Sequence, residues 1–391
     1  MSDSVNLTTP AAPPSTLDAK DATQFVTPPL LSGIRYACIP VWSILLCFGI
    51  FGNALTVFVL RTKRLQQSST SFYLTALAIT DMLYLLTSLV ASIANFIFFF
   101  PSELRQLSRT FCVFTPFLSY TLAYISVWLL VTVTVERAVW VVLPFRARHI
   151  CTKRTAKSVV LLLVIGFTLL DIHFFLTMRY QEVRPGYWLC MTTYFSDKVF
   201  PFLDLLLVAI LPCTIMLVAN CLIGWKLRVM RKFRSGTAIG MVSNNITDQG
   251  GGEKREKSVN LTRMLVSTNV FFIVSVTPLL IYDVVFFSVD VRAWAEEAEE
   301  VRGGMIFAIE RFVYTLWYTN FAIHFLLYCL SGPPFRAEVL VLFNRLRDRI
   351  RKVAHKSTVD QTELKRPETG LTSTANVVST AGDVYSREEL L

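Results

Sequence analysis

Seven apolar segments of 21 to 29 residues are the feature that most constrains this chain. A helix needs roughly 20 mainly apolar residues to cross a ~30 Å hydrocarbon core. Charged residues make up 17% of the chain, below the roughly 25% that is usual in soluble domains. The sequence therefore predicts an all-α membrane protein, a seven-transmembrane helix bundle. Its spans 1 to 7 are Tyr36–Leu60, Phe72–Phe100, Thr110–Val135, Ser158–Met178, Val199–Trp225, Met264–Val289 and Phe312–Phe335.

The distribution of Lys and Arg predicts the orientation of these spans. With the N-terminus outside, the outer connections carry 10 of the basic residues and the inner ones carry 28. Basic residues favour the cytoplasmic side, so we expect a multi-pass plasma-membrane protein with its N-terminus outside. The net charge of +10 is then a signature of topology and not of nucleic-acid binding, which would require a soluble basic face.

The segments around the bundle, residues 36–335, differ from it in composition. Residues 1–35 are polar and lack the apolar core of a cleavable signal peptide, so we expect a disordered extracellular N-terminus. Within it, Asn6-Leu7-Thr8 predicts glycosylation of Asn6. Residues 336–353 alternate apolar residues and Arg, as in a short amphipathic eighth helix on the lipid of the inner leaflet. Residues 354–391 predict a disordered cytoplasmic tail.

Two cysteines lie on the predicted outer side. Cys112 begins span 3, and Cys190 lies in the loop before span 5. A disulfide persists in an oxidising environment, so these two residues predict a bridge, and two free thiols are the alternative.

Carboxylates inside the predicted membrane are candidates for function, because a charge in hydrocarbon is costly. Asp204, Asp283 and Glu310 lie toward the outer ends of their spans, level with Tyr120 and Tyr124 in span 3. Carboxylates beside aromatic rings suit a cationic ligand; solvated helix ends are the alternative. We find no nucleophile–base pair, metal-ligand cluster or phosphate loop in the sequence, so we do not expect an enzyme.

Several short motifs occur in one order along the seven spans. Arg137 follows Cys112 by 25 residues, which is about 37 Å of helix and one membrane crossing. In this order the chain resembles the rhodopsin-like (class A) G-protein-coupled receptors over roughly residues 36–345. The matching motifs are Gly52-Asn53, Leu74–Asp81, Cys112, Glu136-Arg137-Ala138, Pro212, Phe272 with Pro278, and Tyr328.

This resemblance implies roles for further residues. Asp81, Ser126 and Asn320 would form an allosteric sodium site, with sodium as the one possible cofactor. Glu136 would hold Arg137 at rest, and Arg137 and Phe145 would contact a heterotrimeric G protein. A receptor kinase and arrestin would act on the tail. An apolar relay would join the outer pocket to the inner face through Val127, Leu130, Pro212, Phe272, Pro278 and Tyr328.

The chain also departs from the family pattern. Ala138 replaces the Tyr of the third-span motif, and His324 and Phe325 replace the Asn and Pro of the seventh-span motif. The usual acidic partner of the motif Arg in span 6 would fall near Ser258. These departures predict a weakly held resting state with raised ligand-free signalling. Replacement of an Asn by His324 also predicts weaker sodium binding.

The resemblance narrows the ligand class. Amine receptors of this family carry an Asp where this chain has Ser119, and opsins carry a Lys in span 7, which has none here. The stretches after Glu136 and around His324 resemble invertebrate neuropeptide receptors of the FMRFamide and thyrotropin-releasing-hormone receptor type. We therefore expect a receptor for a basic or amidated neuropeptide. A chemosensory receptor for a small molecule and an ion-coupled transporter are the alternatives.

Overall fold

The computed structural model describes residues 29–63, 65–99, 104–237, 249–288 and 300–364. The predictions for Asn6, for most of the N-terminal segment and for the end of the tail lie outside these residues. The chain divides into two units, Met1–Val339 and Leu340–Leu391.

Helices account for nearly all of the described chain. The first two spans are Pro29–Leu60 and Ser69–Tyr84, the latter continuing through a π-helix Leu85–Leu89, a helix Val90–Ala94 and a π-helix Asn95–Phe99. Spans 3 and 4 are Arg109–Val142 and Lys153–Asp171, followed by Phe174–Thr177. Span 5 comprises Phe200–Leu205, a π-helix Leu206–Ile210 and Leu211–Thr237. Span 6 is Gln249–Ser288, and span 7 is Glu300–Ala322 with His324–Ser331.

Smaller elements connect the spans. They are a 3-10 turn Leu104–Gln106, a helix Pro144–Ile150, strands β1 Met178–Arg184 and β2 Tyr187–Thr192, a π-helix Phe195–Val199, and a last helix Pro333–Leu364. The last helix covers the stretch predicted as the eighth helix. Its location on the membrane surface stays a prediction.

Six described helical stretches are long and apolar enough to cross a membrane, which confirms spans 1 to 6. They are Ser32–Leu60, Ser69–Phe98, Arg109–Val142, Lys153–Thr177, Phe200–Met230 and Thr262–Val285. Span 7 differs from the prediction of one helix over Phe312–Phe335, because it begins at Glu300 and is interrupted at Ile323. It then ends at Gly332, before two prolines that cannot supply backbone N–H groups to a continuing helix.

Side-chain caps fix where three of the spans begin. Ser68 accepts a hydrogen bond from the backbone N–H of Ser71, at 3.0 Å, at the start of span 2. Ser108 and Thr152 cap spans 3 and 4 in the same way. A side-chain oxygen at this position satisfies one of the N–H groups that the first turn of a helix leaves free.

Span 3 lies at the centre of the bundle and span 4 at its edge. Span 3 packs against spans 2, 4, 5 and 6, and most of its side chains from Thr121 to Ala138 are buried. In the helix Lys153–Asp171 only Ala156 and Asp171 are buried. The other side chains of this helix are exposed or partly exposed, so it contributes little to the core.

A β-hairpin covers the outer end of span 3, which the sequence analysis did not predict. Its strands pair Tyr180 with Cys190, and Gly186 adopts a φ of 76° in the turn. Cys190 forms the predicted disulfide with Cys112, which is confirmed. Tyr180 also donates its hydroxyl to the backbone oxygen of Gln106, at 2.9 Å. The bridge and this hydrogen bond hold the hairpin against the first turn of span 3.

Spans 1 and 7 approach closely at Gly52. A Cβ atom added there would lie 2.9 Å from the Cβ atom of Phe325. That contact atom is next to the backbone, so it can only move if one helix moves with it. The missing side chain at Gly52 is therefore what allows this approach.

We expect Gly52→Ala to lower the stability of the purified receptor by about 1–3 kcal/mol, the usual cost of overpacking. Gly166→Ala is the matched control, because a Cβ atom on Gly166 meets nothing within 4 Å. Since Ala is a better helix former than Gly, this control should melt at the same or a higher temperature. Thermal unfolding in detergent measures both variants, and equal melting temperatures would contradict the packing argument.

Candidate functional site

A cavity of about 350 Å³ opens in the outer half of the bundle. Spans 2, 3, 5, 6 and 7 and the turn Leu104–Gln106 all contribute to its wall. The wall combines aromatic rings with a few polar groups, as is usual for ligand cavities. The aromatic members are Tyr84, Tyr120, Phe200, Tyr314, Trp317 and Tyr318.

Two carboxyl groups line this cavity, one from span 5 and one from span 6. They belong to Asp204 and Asp283, and they are close enough to interact electrostatically. Tyr124 donates its hydroxyl to Oδ1 of Asp204 at 2.8 Å, which orients that carboxyl group. Like charges held together in a poorly solvated site favour the binding of a cation between them.

The structure places the five predicted ligand residues in different settings. Asp204, Asp283 and Tyr120 line the cavity. Tyr124 is fully buried behind the wall and acts on the cavity through Asp204. Glu310 lies outside the wall and pairs with the guanidinium of its neighbour Arg311. The cavity thus holds two of the three predicted carboxyl groups.

The structure adds two polar groups that the sequence analysis did not assign to the site. Arg105 lines the cavity from the turn Leu104–Gln106. Asp171 is fully buried in span 4, where its Oδ2 accepts a hydrogen bond from Thr121 at 2.8 Å. Asp171 is also close enough to Asp204 to interact with it electrostatically. Its position in span 4, inside the membrane, was the signal that could have marked it.

Asp81 lies at the middle of the bundle with both of its oxygens occupied. Ser126 donates its hydroxyl to Oδ1 at 2.5 Å. Nδ1 of His324 donates to Oδ2 at 2.8 Å. Asp81 is fully buried, and its two partners are 3% and 5% exposed. Each oxygen of this buried carboxyl group thereby has a hydrogen-bond partner in the protein itself.

These residues as placed fit a sodium ion poorly. Sodium is a hard cation that needs several free oxygen ligands. Both oxygens of Asp81 already accept hydrogen bonds, and Oδ1 of Asn320 accepts one from Ser275 at 2.7 Å. The ring of His324 takes the place beside Asp81 that the expected site reserves for an oxygen ligand. Protein donors thus take one lone pair on each of these oxygens, and the ring of His324 supplies the ion with no oxygen ligand.

The motif carboxylate on the cytoplasmic side is attached to span 2. Oε1 of Glu136 accepts hydrogen bonds from Ser69 at 2.9 Å and from Thr70 at 2.6 Å. The nearest nitrogen of Arg137 is 3.9 Å from the same oxygen, too far for a hydrogen bond. Glu136 and Arg137 are 6% and 7% exposed. Glu136 therefore holds span 2 to span 3 more directly than it holds Arg137.

The remaining predicted residues of the inner half divide by exposure. Phe145 is 83% exposed on the helix Pro144–Ile150, where a partner protein can reach it. The relay residues are buried or partly buried in the bundle, as a relay requires; their role stays a prediction. They are Val127, Leu130, Pro212, Phe272, Pro278 and Tyr328.

Comparison with known proteins identifies similar chains along the whole bundle. The family described as 7 transmembrane receptor (rhodopsin family) matches residues 52–320. The KiSS-1 receptor of Rattus norvegicus is 24% identical over 75% of this chain and 71% of its own length. For neuromedin-U receptor 2 of Mus musculus the values are 26%, 76% and 72%. The pyroglutamylated RF-amide peptide receptor of Rattus norvegicus is 20% identical over 79% and 75%.

We expect the melting temperature of the purified protein to be the same in sodium chloride and in choline chloride of equal concentration. The His324→Asn variant frees Oδ2 of Asp81 and adds an amide oxygen. It should therefore gain stability in sodium, by about 2–4 °C for each kcal/mol of binding. The double variant Asp81→Asn/His324→Asn lacks the carboxylate and should lose this gain. Sodium stabilisation of the unmodified protein as large as that of His324→Asn would contradict the expectation.

Proposed function

The chain belongs to the rhodopsin family of seven-transmembrane receptors, and from this premise we propose that its ligand is a basic, C-terminally amidated neuropeptide. As a member of this family it is a G-protein-coupled receptor of the plasma membrane and not an enzyme. It binds an extracellular ligand in the bundle and activates heterotrimeric G proteins inside the cell.

The pair Asp204 and Asp283 is the observation that carries the proposal. Two carboxyl groups in one cavity wall suit the planar guanidinium of an Arg side chain, which can bind a carboxylate through two parallel hydrogen bonds. The aromatic rings of the wall, including Tyr120 and Trp317, provide faces on which a cation or an aromatic side chain can pack. A peptide with an Arg beside an aromatic residue matches both parts of the cavity.

The names of the relatives point the same way. One relative is a receptor for pyroglutamylated RF-amide peptide, a name that denotes an Arg-Phe-amide ending. Two others are a KiSS-1 receptor and a neuromedin-U receptor. These likenesses favour an amidated peptide over the small odorant expected of a chemosensory receptor.

Further partners belong to the same proposal. Arg137 and Phe145 would contact the G protein, and the Ser and Thr residues of the tail would be modified by a receptor kinase and then bind arrestin. Residues 336–353 would lie on anionic lipid of the inner leaflet, and Asn6 would carry a sugar. In this topology the N-terminal segment 1–35 would lie outside the cell and the tail 354–391 inside it.

We expect Asp204→Asn and Asp283→Asn each to weaken activation by a peptide ending in Arg-Phe-amide about 10- to 100-fold. This range corresponds to the loss of one hydrogen bond to a charged group. Calcium and cAMP responses to an amidated-peptide library would first find an active sequence. Its potency is then measured on each variant, together with the same peptide in which neutral citrulline replaces the Arg.

The citrulline peptide separates charge recognition from general damage. It should be weak on the unmodified receptor and lose little further potency on either variant, because the interacting charge is already absent. Glu182→Gln is a matched control on the hairpin, where Glu182 is exposed and accepts from the backbone N–H of Gly186. Equal losses of potency for the Arg peptide and the citrulline peptide on the two Asp variants would refute the proposal. A response to small odorants with no response to any peptide would also refute it.

We expect Phe145→Ala to reduce ligand-stimulated nucleotide exchange on the G protein on the order of tenfold, as for an exposed aromatic side chain that a partner buries. Ile150→Ala is the control on the same helix, since Ile150 is also exposed, at 52%. Exchange assays in membranes with one member of each Gα class make the comparison. Normal coupling of Phe145→Ala would exclude this residue from the contact.

A further inference from the structure

A chain of three polar side chains joins spans 3, 6 and 5 just above the cytoplasmic face. The hydroxyl of Thr134 in span 3 lies 2.9 Å from Oδ1 of Asn269 in span 6 and 2.8 Å from the backbone oxygen of Leu130, so these two acceptors share its one hydrogen. Nδ2 of Asn269 donates to Oδ1 of Asn220 in span 5, at 3.2 Å. Thr134 and Asn269 are each 1% exposed. We call these three residues the polar clasp.

The polar clasp lies beside the Arg that the G protein must reach. Thr134 precedes Arg137 by three residues, so the two side chains lie on one face of span 3, about 4.5 Å apart along the axis. Arg137 is only 7% exposed. A G protein can therefore contact Arg137 only if the helices around it separate, and the polar clasp ties spans 5 and 6 to span 3 one helical turn away.

Tyr124 and Trp128 of span 3 also donate hydrogen bonds to span 5, but farther from the cytoplasmic end. Near that end Glu136 accepts its hydrogen bonds from Ser69 and Thr70 in span 2, so Glu136 ties neither span 5 nor span 6 to span 3. The position in span 6 where an acidic partner for Arg137 is expected is Ser258, a residue without charge. We propose that the polar clasp, a neutral set of hydrogen bonds, holds span 6 against span 3 in the resting receptor and is broken on activation.

The strength of such a clasp suits a switch. Hydrogen bonds between membrane helices are weak individually, but the hydrocarbon offers no water to replace them when they break. Two of them bias the equilibrium between closed and open bundles without making it irreversible. Under this proposal we expect low ligand-free signalling and no longer raised signalling. The polar clasp takes the place of the acidic partner for Arg137 that span 6 lacks at Ser258.

Isosteric variants test the proposal without any ligand. Thr134→Val and Asn269→Leu remove the polar groups while keeping the volume of the side chains nearly constant. Each should raise ligand-free nucleotide exchange roughly three- to tenfold over the unmodified receptor, the range expected for interhelical hydrogen bonds. The double variant should exceed the larger single effect only slightly, since both changes break the same bond. Exchange is measured in membranes with each Gα class, per receptor at the cell surface.

Control variants distinguish the clasp from a general loss of packing. Thr132→Val and Thr277→Val remove hydroxyls that bond only within spans 3 and 6, to Trp128 and Ile273, and they should leave exchange unchanged. Thr134→Ser keeps the hydroxyl and should stay as silent as the unmodified receptor. Unchanged exchange in both Thr134→Val and Asn269→Leu would overturn the proposal. So would equal increases in the two control variants, or loss of Thr134→Val from the cell surface while Thr132→Val remains there.

Discussion

Hydrocarbon surrounds this bundle and supplies no hydrogen-bond partners, so polar side chains inside it must pair with one another. Asp81 pairs with Ser126 and His324, and Oε1 of Glu136 pairs with Ser69 and Thr70. Each of these hydrogen bonds connects two different spans. The pairing of buried polar groups therefore also determines which helices are held together. The apolar residues make the helices stay in the membrane, and the polar ones determine how they are joined.

The links join spans 1, 2 and 7 into one group. Span 1 is joined to span 7 by Asn53, which donates to the backbone oxygen of Phe321 at 2.8 Å, and by Trp42, which donates to Thr315. Aromatic stacking of Tyr84 on Phe321 adds span 2 to this group. Span 5 is joined to span 3 by Tyr124 and Trp128. Span 6 is joined to span 7 by Ser267 and Ser275. A ligand between Asp204 and Asp283 would contact spans 5 and 6 directly.

The sequence was sufficient for the features that depend on composition and order. Apolar length determined spans 1 to 6, the charge count determined the topology, and the shared outer location of Cys112 and Cys190 predicted their bridge. The hairpin was missed although Pro185-Gly186 between two runs of strand-forming residues is a recognised turn signal. The interruption at Ile323 was missed because no Gly or Pro marks it.

Contacts between spans were harder to predict, for a geometrical reason. The rotation of each helix about its axis determines whether Glu310 faces the cavity or Arg311. It also determines whether His324 reaches Asp81. Pairing of Asn269 with Thr134 and Asn220 depends on three such rotations at once. A single sequence shows which residues share one face of a helix. It does not show towards which neighbouring helix that face points.

The π-helical segments change the rotation of one part of a span relative to the other part. Leu206–Ile210 separates Asp204 from Pro212, and two further π-helices interrupt span 2. A π-turn accommodates one residue more than an α-turn, and one residue corresponds to about 100° of rotation. The outer part of span 5 is thus turned relative to its inner part. Insertion or deletion of a single residue in these segments would change which side chains form the pocket wall. A receptor lineage could thus acquire a new ligand without any substitution in the wall itself.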